Sequence, residues 1–118
     1  MVVMGAVLAT CCTHDETERR AAALTGGDPA RGRRALRTYG CNACHAIPGV
    51  PGVDAAAGPP LAGIGARPTI AAQLPNTPEN MVRWVRHPQQ LNPHTAMPDT
   101  GVTDEDAHDI AAYLYTLR

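Results

Sequence analysis

Apolar and polar positions follow a helical period in three places along the chain. In the first, Asp28 followed by Pro29 reads as an N-cap with proline at the first helical position. The cap oxygen satisfies an orphaned amide, and proline gives up no donor the helix needs. Gly32, Ala35, Leu36 and Tyr39 then recur at i, i+3, i+4 and i+7 as one packing face, and Gly40 is a natural stop. A second helix begins at Thr77-Pro78 and carries Met81, Trp84 and Val85 on one face. It must end at or before His87, because Pro88 disfavours helical backbone in the residue before it. A third begins at Thr103, with Asp106 three residues on as a near capping box and Ala107, Ile110, Ala111 and Leu114 as its stripe. Its acidic first turn (Asp104, Glu105, Asp106) and Arg118 near its far end suit the helix dipole. A short helical turn is also expected over residues 69–74. No run of alternating β-branched residues and no repeat of 33–45 residues is visible, so the pattern predicts an all-α fold of three to four helices.

Between these helices run stretches rich in Pro and Gly, residues 47–65 and 88–101. Irregular segments of that length need something to pack on. Composition points the same way. A chain of 118 residues suits one small domain. It has no Phe, one Trp and three Tyr, and much of its hydrophobic fraction is Ala, so protein-only burial gives a thin core. A large apolar prosthetic group at the centre would cure both shortages. The formal net charge of −1 excludes the basic footprint of a nucleic-acid binder. Every basic residue is Arg, and four of them (Arg31, Arg33, Arg34, Arg37) lie on the first of the three helices.

The cysteines fall into two close pairs, Cys11-Cys12 and Cys41/Cys44, unlike a disulfide framework, whose cysteines are spread to close loops. In Cys41-Asn42-Ala43-Cys44-His45, two thiols separated by two residues can form thioethers to the two vinyl groups on one edge of a haem. The next residue, His45, is thereby held under the iron as a proximal ligand. A zinc half-site would want a second Cys or His pair, and His14, His87, His94 and His108 are scattered. A thioredoxin-like motif would want a βαβ context, which the pattern lacks. A second axial ligand would close the iron to substrate. Met1 and Met4 lie near the N-terminus and Met81 sits on a helix face, which leaves Met97, in a Pro-rich loop between two helices.

Residues 1–10 open with an uncharged apolar run resembling the core of an export signal, without its basic start. Leu8-Ala9-Thr10-Cys11 resembles the lipobox of bacterial lipoproteins, with Thr10 where a smaller residue is usual. Cys11 is therefore a candidate for lipidation, and an ordinary cleaved signal is the alternative. Residues 11–27, polar, of mixed charge and ending in Gly26-Gly27, read as a flexible tether with little buried surface.

From residue 28 to 118 the sequence resembles the class I (mitochondrial-type) cytochromes c, in four blocks that keep the family's order. These are the helix entering Cys41–His45; Gly58-Pro59-Pro60-Leu61-Ala62-Gly63 followed by Arg67; Trp84–Pro88 with Pro93–Pro98; and the last helix around Ile110–Leu114. The resemblance implies a small cytochrome c fold around one covalent haem c. Cys41 and Cys44 would be the attachment points, and His45 and Met97 the axial ligands. It implies that the Pro59 carbonyl accepts a hydrogen bond from His45, that Leu61 packs on the haem, and that Arg67 neutralises a propionate. Trp84 would stand near the haem and Met97, and Thr95 would hydrogen-bond near the inner propionate. Gly32 and Tyr113 would form the close crossing of the first and last helices. Two departures stand out: Arg37 occupies the position four residues before Cys41 where an aromatic is usual, and His94 replaces a common Gly. His94 is accordingly the second candidate for the sixth ligand.

The function this implies is one-electron transfer between periplasmic or membrane partners of a respiratory chain. Partners would be of the kind of a cytochrome oxidase or a quinol–cytochrome c reductase-type donor. The expected setting is the periplasmic side of a bacterial inner membrane, with a lipid anchor and a monomeric state unless the chain is a complex subunit. The alternatives are a dedicated haem c subunit of a larger oxidase or dehydrogenase, and a haem sensor or peroxidase with a labile sixth ligand. The rim expected around the haem edge, residues 46–60 and 89–96, contains one Asp and neither Lys nor Arg.

Overall fold

A computed structural model describes residues 6–52 and 57–118, with side chains of the first helix from Cys12 onward. Residues 1–5, the side chains of residues 6–11 and the rim residue Asp54 lie outside the described residues. Five helices and one minimal hairpin make up the described chain: α1 (Ala6–Thr25), α2 (Pro29–Thr38), β1 (Thr69–Ile70), β2 (Leu74–Pro75), α3 (Pro78–Arg86), α4 (Pro88–Leu91) and α5 (Asp104–Leu114). Single 3₁₀ turns occupy Cys41–Ala43 and Ile64–Ala66.

The three helices expected from periodicity all form, and each starts where its cap is. The side chains of Asp28, Thr77 and Thr103 accept from the amides of Arg31, Asn80 and Asp106. Each cap occupies an otherwise orphaned donor and contributes about 1 kcal/mol. The Asp28 carboxyl is held below the usual carboxylate range, first by that hydrogen bond from Arg31 N and further by the Arg31 and Arg34 charges. Gly40 takes the left-handed conformation (φ 74°) past the end of α2, and its amide closes on the Arg37 carbonyl at 3.0 Å.

The pairing of α2 with α5 is the centre of the fold. Gly32 lets the two backbones approach until a β-carbon at that position would lie 2.5 Å from the Asp109 carbonyl carbon and 3.0 Å from Ile110 N. Asp109, 3 % exposed, then bridges the crossing. Its Oδ1 accepts from Asp28 N at 2.8 Å and its Oδ2 from Arg31 Nε at 3.0 Å. One turn away Tyr39 donates to Asp106 Oδ2 at 2.5 Å. Tyr113, expected against Gly32, is not among the atoms nearest a β-carbon there, which are Asp109 and Ile110 backbone; its hydroxyl donates to the Pro48 carbonyl at 2.5 Å. The crossing is made of backbone on backbone, and Tyr113 pins the segment after His45. Leu36, Ile64, Ile70, Met81, Val85, Val102, Ile110 and Leu114 complete the buried apolar set.

Three segments differ from the sequence expectation. Residues 11–25, read as part of a tether, belong to α1, and Ala21, Thr25 and Gly27 are buried. Successive i, i+4 pairs support this helix: His14–Glu18, Asp15–Arg19 and Glu16–Arg20. Its small C-terminal residues then allow contact with α5. Residues 69–74 turn through an antiparallel pairing of Ile70 with Leu74, with Ala71 and Ala72 at φ 51° and 60°, and do not form a helical turn. The loop after α3 opens with the one-turn helix α4, where Pro88 provides a preset first position. Among the described residues no helix is long and apolar enough to cross a membrane.

Candidate functional site

A cavity of about 380 Å³ opens in the middle of the domain. Every residue assigned to the haem site by sequence borders it: Cys41, Cys44, His45, Pro59, Leu61, Arg67, Trp84, Thr95 and Met97. The rest of the wall is mainly the core itself, with Leu36, Ile64, Met81, Val85, Ile110 and Leu114 facing the same space. The thin aromatic-poor core thus surrounds a cavity of the size and apolar character that a prosthetic group requires.

Helix α2 delivers the cysteines directly. After Gly40, the turn Cys41–Ala43 closes through amide hydrogen bonds from Cys44 and His45 to the Cys41 carbonyl, at 3.3 and 3.0 Å. Neither cysteine is in a disulfide. Burial pushes the Cys41 thiol up, and the neighbouring Cys44 adds to this. The strand of chain from 57 to 61 is laced to this turn: Gly58 N donates to Cys44 O at 2.8 Å and Leu61 N to Ala46 O at 2.9 Å. On the other side Asn42 Nδ2 donates to the Pro51 carbonyl at 2.9 Å.

This lacing fixes the imidazole. His45 Nδ1 lies 2.7 Å from the Pro59 carbonyl oxygen, which can only accept, so the proton resides on Nδ1. The lone pair of Nε2 is left available for a metal, and the carbonyl raises its basicity. Gly58 is part of the same device. A β-carbon there would sit 2.5 Å from His45 Cε1 and 2.6 Å from Nδ1, so only glycine allows the backbone to lie against the ring. Gly58→Ala is therefore expected to displace the imidazole and weaken its bond to Pro59. The expected cost is about 1–3 kcal/mol in denaturant unfolding, the range for overpacking. Ring-nitrogen NMR reads the displacement, and an unchanged His45 resonance would contradict it.

On the loop before α5, Met97 is half-buried and borders the cavity, and its amide donates to Thr95 Oγ1 at 3.2 Å. His94 is exposed and is not part of the wall; its amide donates to Asn92 Oδ1 at 3.0 Å. Of the two candidates for a sixth ligand, the structure brings only Met97 to the cavity. The Thr95 hydroxyl thus holds the Met97 backbone. Arg67 borders the cavity while its Nη2 donates to the carbonyls of Pro60 and Ala62, at 2.7 and 3.0 Å. It holds the loop that carries Pro59, and its Nε and Nη1 make no hydrogen bond among the described residues. His87 ends α3, and His108 turns back to the Asp104 carbonyl of its own helix at 2.7 Å; neither borders the cavity.

Sequence reasoning missed Ala71, Asn92 and Thr100 in the wall. Ala71 arrives through the hairpin where the pattern predicts a helical turn, and the other two carry no periodicity or motif that marks them.

Two thiols on one turn, an imidazole with a fixed tautomer and a thioether on a facing loop are a donor set that fits haem iron with covalent attachment. The apolar wall fits the macrocycle, and Arg67 is a cation suited to a carboxylate substituent. Comparison with known proteins agrees. The family model described as cytochrome c matches residues 29–118. Over 89 residues the chain is 37 % identical to a protein named cytochrome c oxidase subunit 2 from Alkalihalophilus pseudofirmus (strain ATCC BAA-2126 / JCM 17055 / OF4). That alignment takes in 75 % of this chain and 25 % of the relative, so the chain spans about a quarter of the relative's length. No solved structure gives a significant match. The chain belongs to the cytochrome c family, whose members carry out haem-based electron transfer.

Proposed function

We propose that this chain is a one-electron carrier holding a single covalent haem c through Cys41 and Cys44, with His45 and Met97 as axial ligands. The observation that carries the reading is the convergence of these four side chains on one apolar cavity, with the His45 ring already oriented by Pro59. Haem c, when bound, supplies a one-electron iron couple. The chain's own residues do the rest. Cys41 and Cys44 keep the group in a domain whose apolar core is thin. Pro59 and Gly58 set the imidazole before iron arrives, so little reorganisation accompanies a change of charge. Met97 fills the remaining position with a soft neutral donor, which favours the reduced state and shuts out substrate. Leu61 and Trp84 exclude water from the centre.

The direct test is the mass of the purified protein after denaturation and acid–acetone extraction. Retention of one haem supports the reading; complete loss, or equal retention by Cys41→Ala/Cys44→Ala, contradicts it. The reduced protein is further expected to resist carbon monoxide, and ready binding would favour a sensor or peroxidase.

The partner is a redox protein, and the likeness to an oxidase subunit 2 favours a terminal oxidase, either as acceptor or as a complex in which this chain is a subunit. Co-purification of the haem absorbance with oxidase activity from solubilised membranes distinguishes subunit from free carrier. Export and lipidation at Cys11 would tether the domain on the outer side of the inner membrane, with α1 as a helical stalk. Mass spectrometry of the mature N-terminus tests this, and a free unacylated end would exclude it.

The rim carries neither Lys nor Arg, and its residues Ala46, Ala57, Pro59 and Ala96 are exposed. Docking is accordingly apolar and short-ranged. Electron transfer to the partner is expected to vary less than about threefold between low and physiological salt, since charge steering is what salt screens. Stopped-flow rates against ionic strength check this, and a steep fall with salt would contradict it.

A further inference from the structure

A second cleft, of about 210 Å³, lies where α1, α2 and α5 meet. Glu18, Pro29, Arg33, Arg34, Arg37 and Tyr113 border it, and none of these borders the large cavity. We propose that this cleft binds a phosphoryl anion, with Arg34 and Arg37 as its ligands beside an already anchored Arg33.

Most arginines elsewhere are already engaged. Arg19, Arg20, Arg31 and Arg86 each pair with a carboxylate, at 3.0, 2.7, 3.0 and 3.2 Å. Arg33 donates through Nε to the Gly49 carbonyl at 2.7 Å, which fixes its guanidinium beside the cleft. The guanidinium groups of Arg34 and Arg37 are exposed and neither donates a hydrogen bond nor forms a close ion pair among the described residues, although the Arg34 charge acts on Asp28. They stand three apart on α2, with Arg33 and Arg37 four apart, so like charges meet on one helix face at a cost in stability. An anion between them removes that repulsion.

The shape narrows the ligand. The cleft, of about 210 Å³, has room for a phosphoryl group and a short attached fragment. Guanidinium forks match phosphoryl oxygens bidentately, which a single halide ion cannot exploit. Pro29 and the Tyr113 ring supply an apolar wall for the attached fragment. The Glu18 carboxylate, with His14 3.6 Å away, opposes the anion and limits its affinity. The site is independent of the electron-carrier reading.

The test uses the full haem-loaded chain. One arm titrates inorganic phosphate calorimetrically at constant ionic strength set by chloride. The other measures co-sedimentation with vesicles of phosphatidylglycerol in phosphatidylcholine against phosphatidylcholine alone. Saturable binding of free phosphate identifies a soluble ligand, and binding of the anionic vesicles alone identifies a lipid headgroup. In either case Arg34→Gln/Arg37→Gln is expected to weaken binding at least about tenfold, and Glu18→Gln to tighten it. The haem spectrum should be unchanged in both variants, since these side chains lie on the surface. Failure of both probes to bind saturably, or equal binding by the wild type and the double variant, overturns the proposal.

Discussion

Gly32→Ala is expected to destabilise the haem-loaded protein by at least about 3 kcal/mol, the upper end of what overpacking costs. The new β-carbon overlaps the Asp109 carbonyl oxygen outright and lies 2.5 Å from its carbon, and both atoms are helix backbone that cannot rotate away. Helix α2 must lift from α5. That movement also stretches the bonds from Asp28 N and Arg31 Nε to Asp109, which is buried and would lose its partners, and the bond from Tyr39 to Asp106. Alanine's better helix propensity returns only about 1 kcal/mol. Against a stability of about 5–15 kcal/mol for a small domain, the net loss is large. Gly63→Ala is the control. Nothing stands within 4 Å of a β-carbon there, and only the φ of +74° opposes it, at about 1–2 kcal/mol. Urea midpoints of the two variants measure the difference, and equal midpoints would refute the close crossing.

Much of this architecture is legible in the sequence because local chemistry and burial agree. At Asp28, Thr77 and Thr103 the cap, the following proline or acidic turn and the apolar stripe all give the same answer, and the helices start where the caps lie. The haem-site residues are legible for a different reason: their spacing answers to the chemistry of a cofactor, and that constraint survives in the loops, where periodicity says nothing. What escaped notice has no such signature. Helix α1 buries Ala21 and Thr25, followed by Gly27 just beyond its end, a set too small and too polar to register as hydrophobic, and its salt-bridged outer face reads like a tether. The hairpin at Ile70–Leu74 turns through two alanines at positive φ, where Gly or Asn would have announced the turn. The family resemblance puts Tyr113 at the helix crossing, and its hydroxyl reaches the Pro48 carbonyl 65 residues away, a contact that only the tertiary fold creates.

Met97→Ala is expected to abolish the sulfur-to-iron charge-transfer band, open the reduced protein to carbon monoxide and lower its reduction potential. His94→Ala should leave all three unchanged. The contrast follows from position. Both residues belong to one short loop, but its hydrogen bonds, Thr95 N to Asn92 O at 3.1 Å and Met97 N to Thr95 Oγ1 at 3.2 Å, turn Met97 toward the cavity while His94 stays exposed. A thioether is a neutral, soft donor that stabilises the reduced metal more than imidazole or water does. Its loss should therefore move the potential down by on the order of 0.1 V or more, a fraction of the roughly 0.8 V range that axial ligands span. Thr95→Val should act in the same direction but less, because it frees the Met97 backbone without removing the sulfur. If His94→Ala loses the band and Met97→Ala keeps it, the ligand assignment reverses, and the loop must turn over on binding haem. The graded order of Met97→Ala, Thr95→Val and His94→Ala makes the measurement specific. A variant that merely destabilised the loop would soften all three readouts together, whereas loss of the ligand changes the band and the carbon monoxide reaction at unaltered fold.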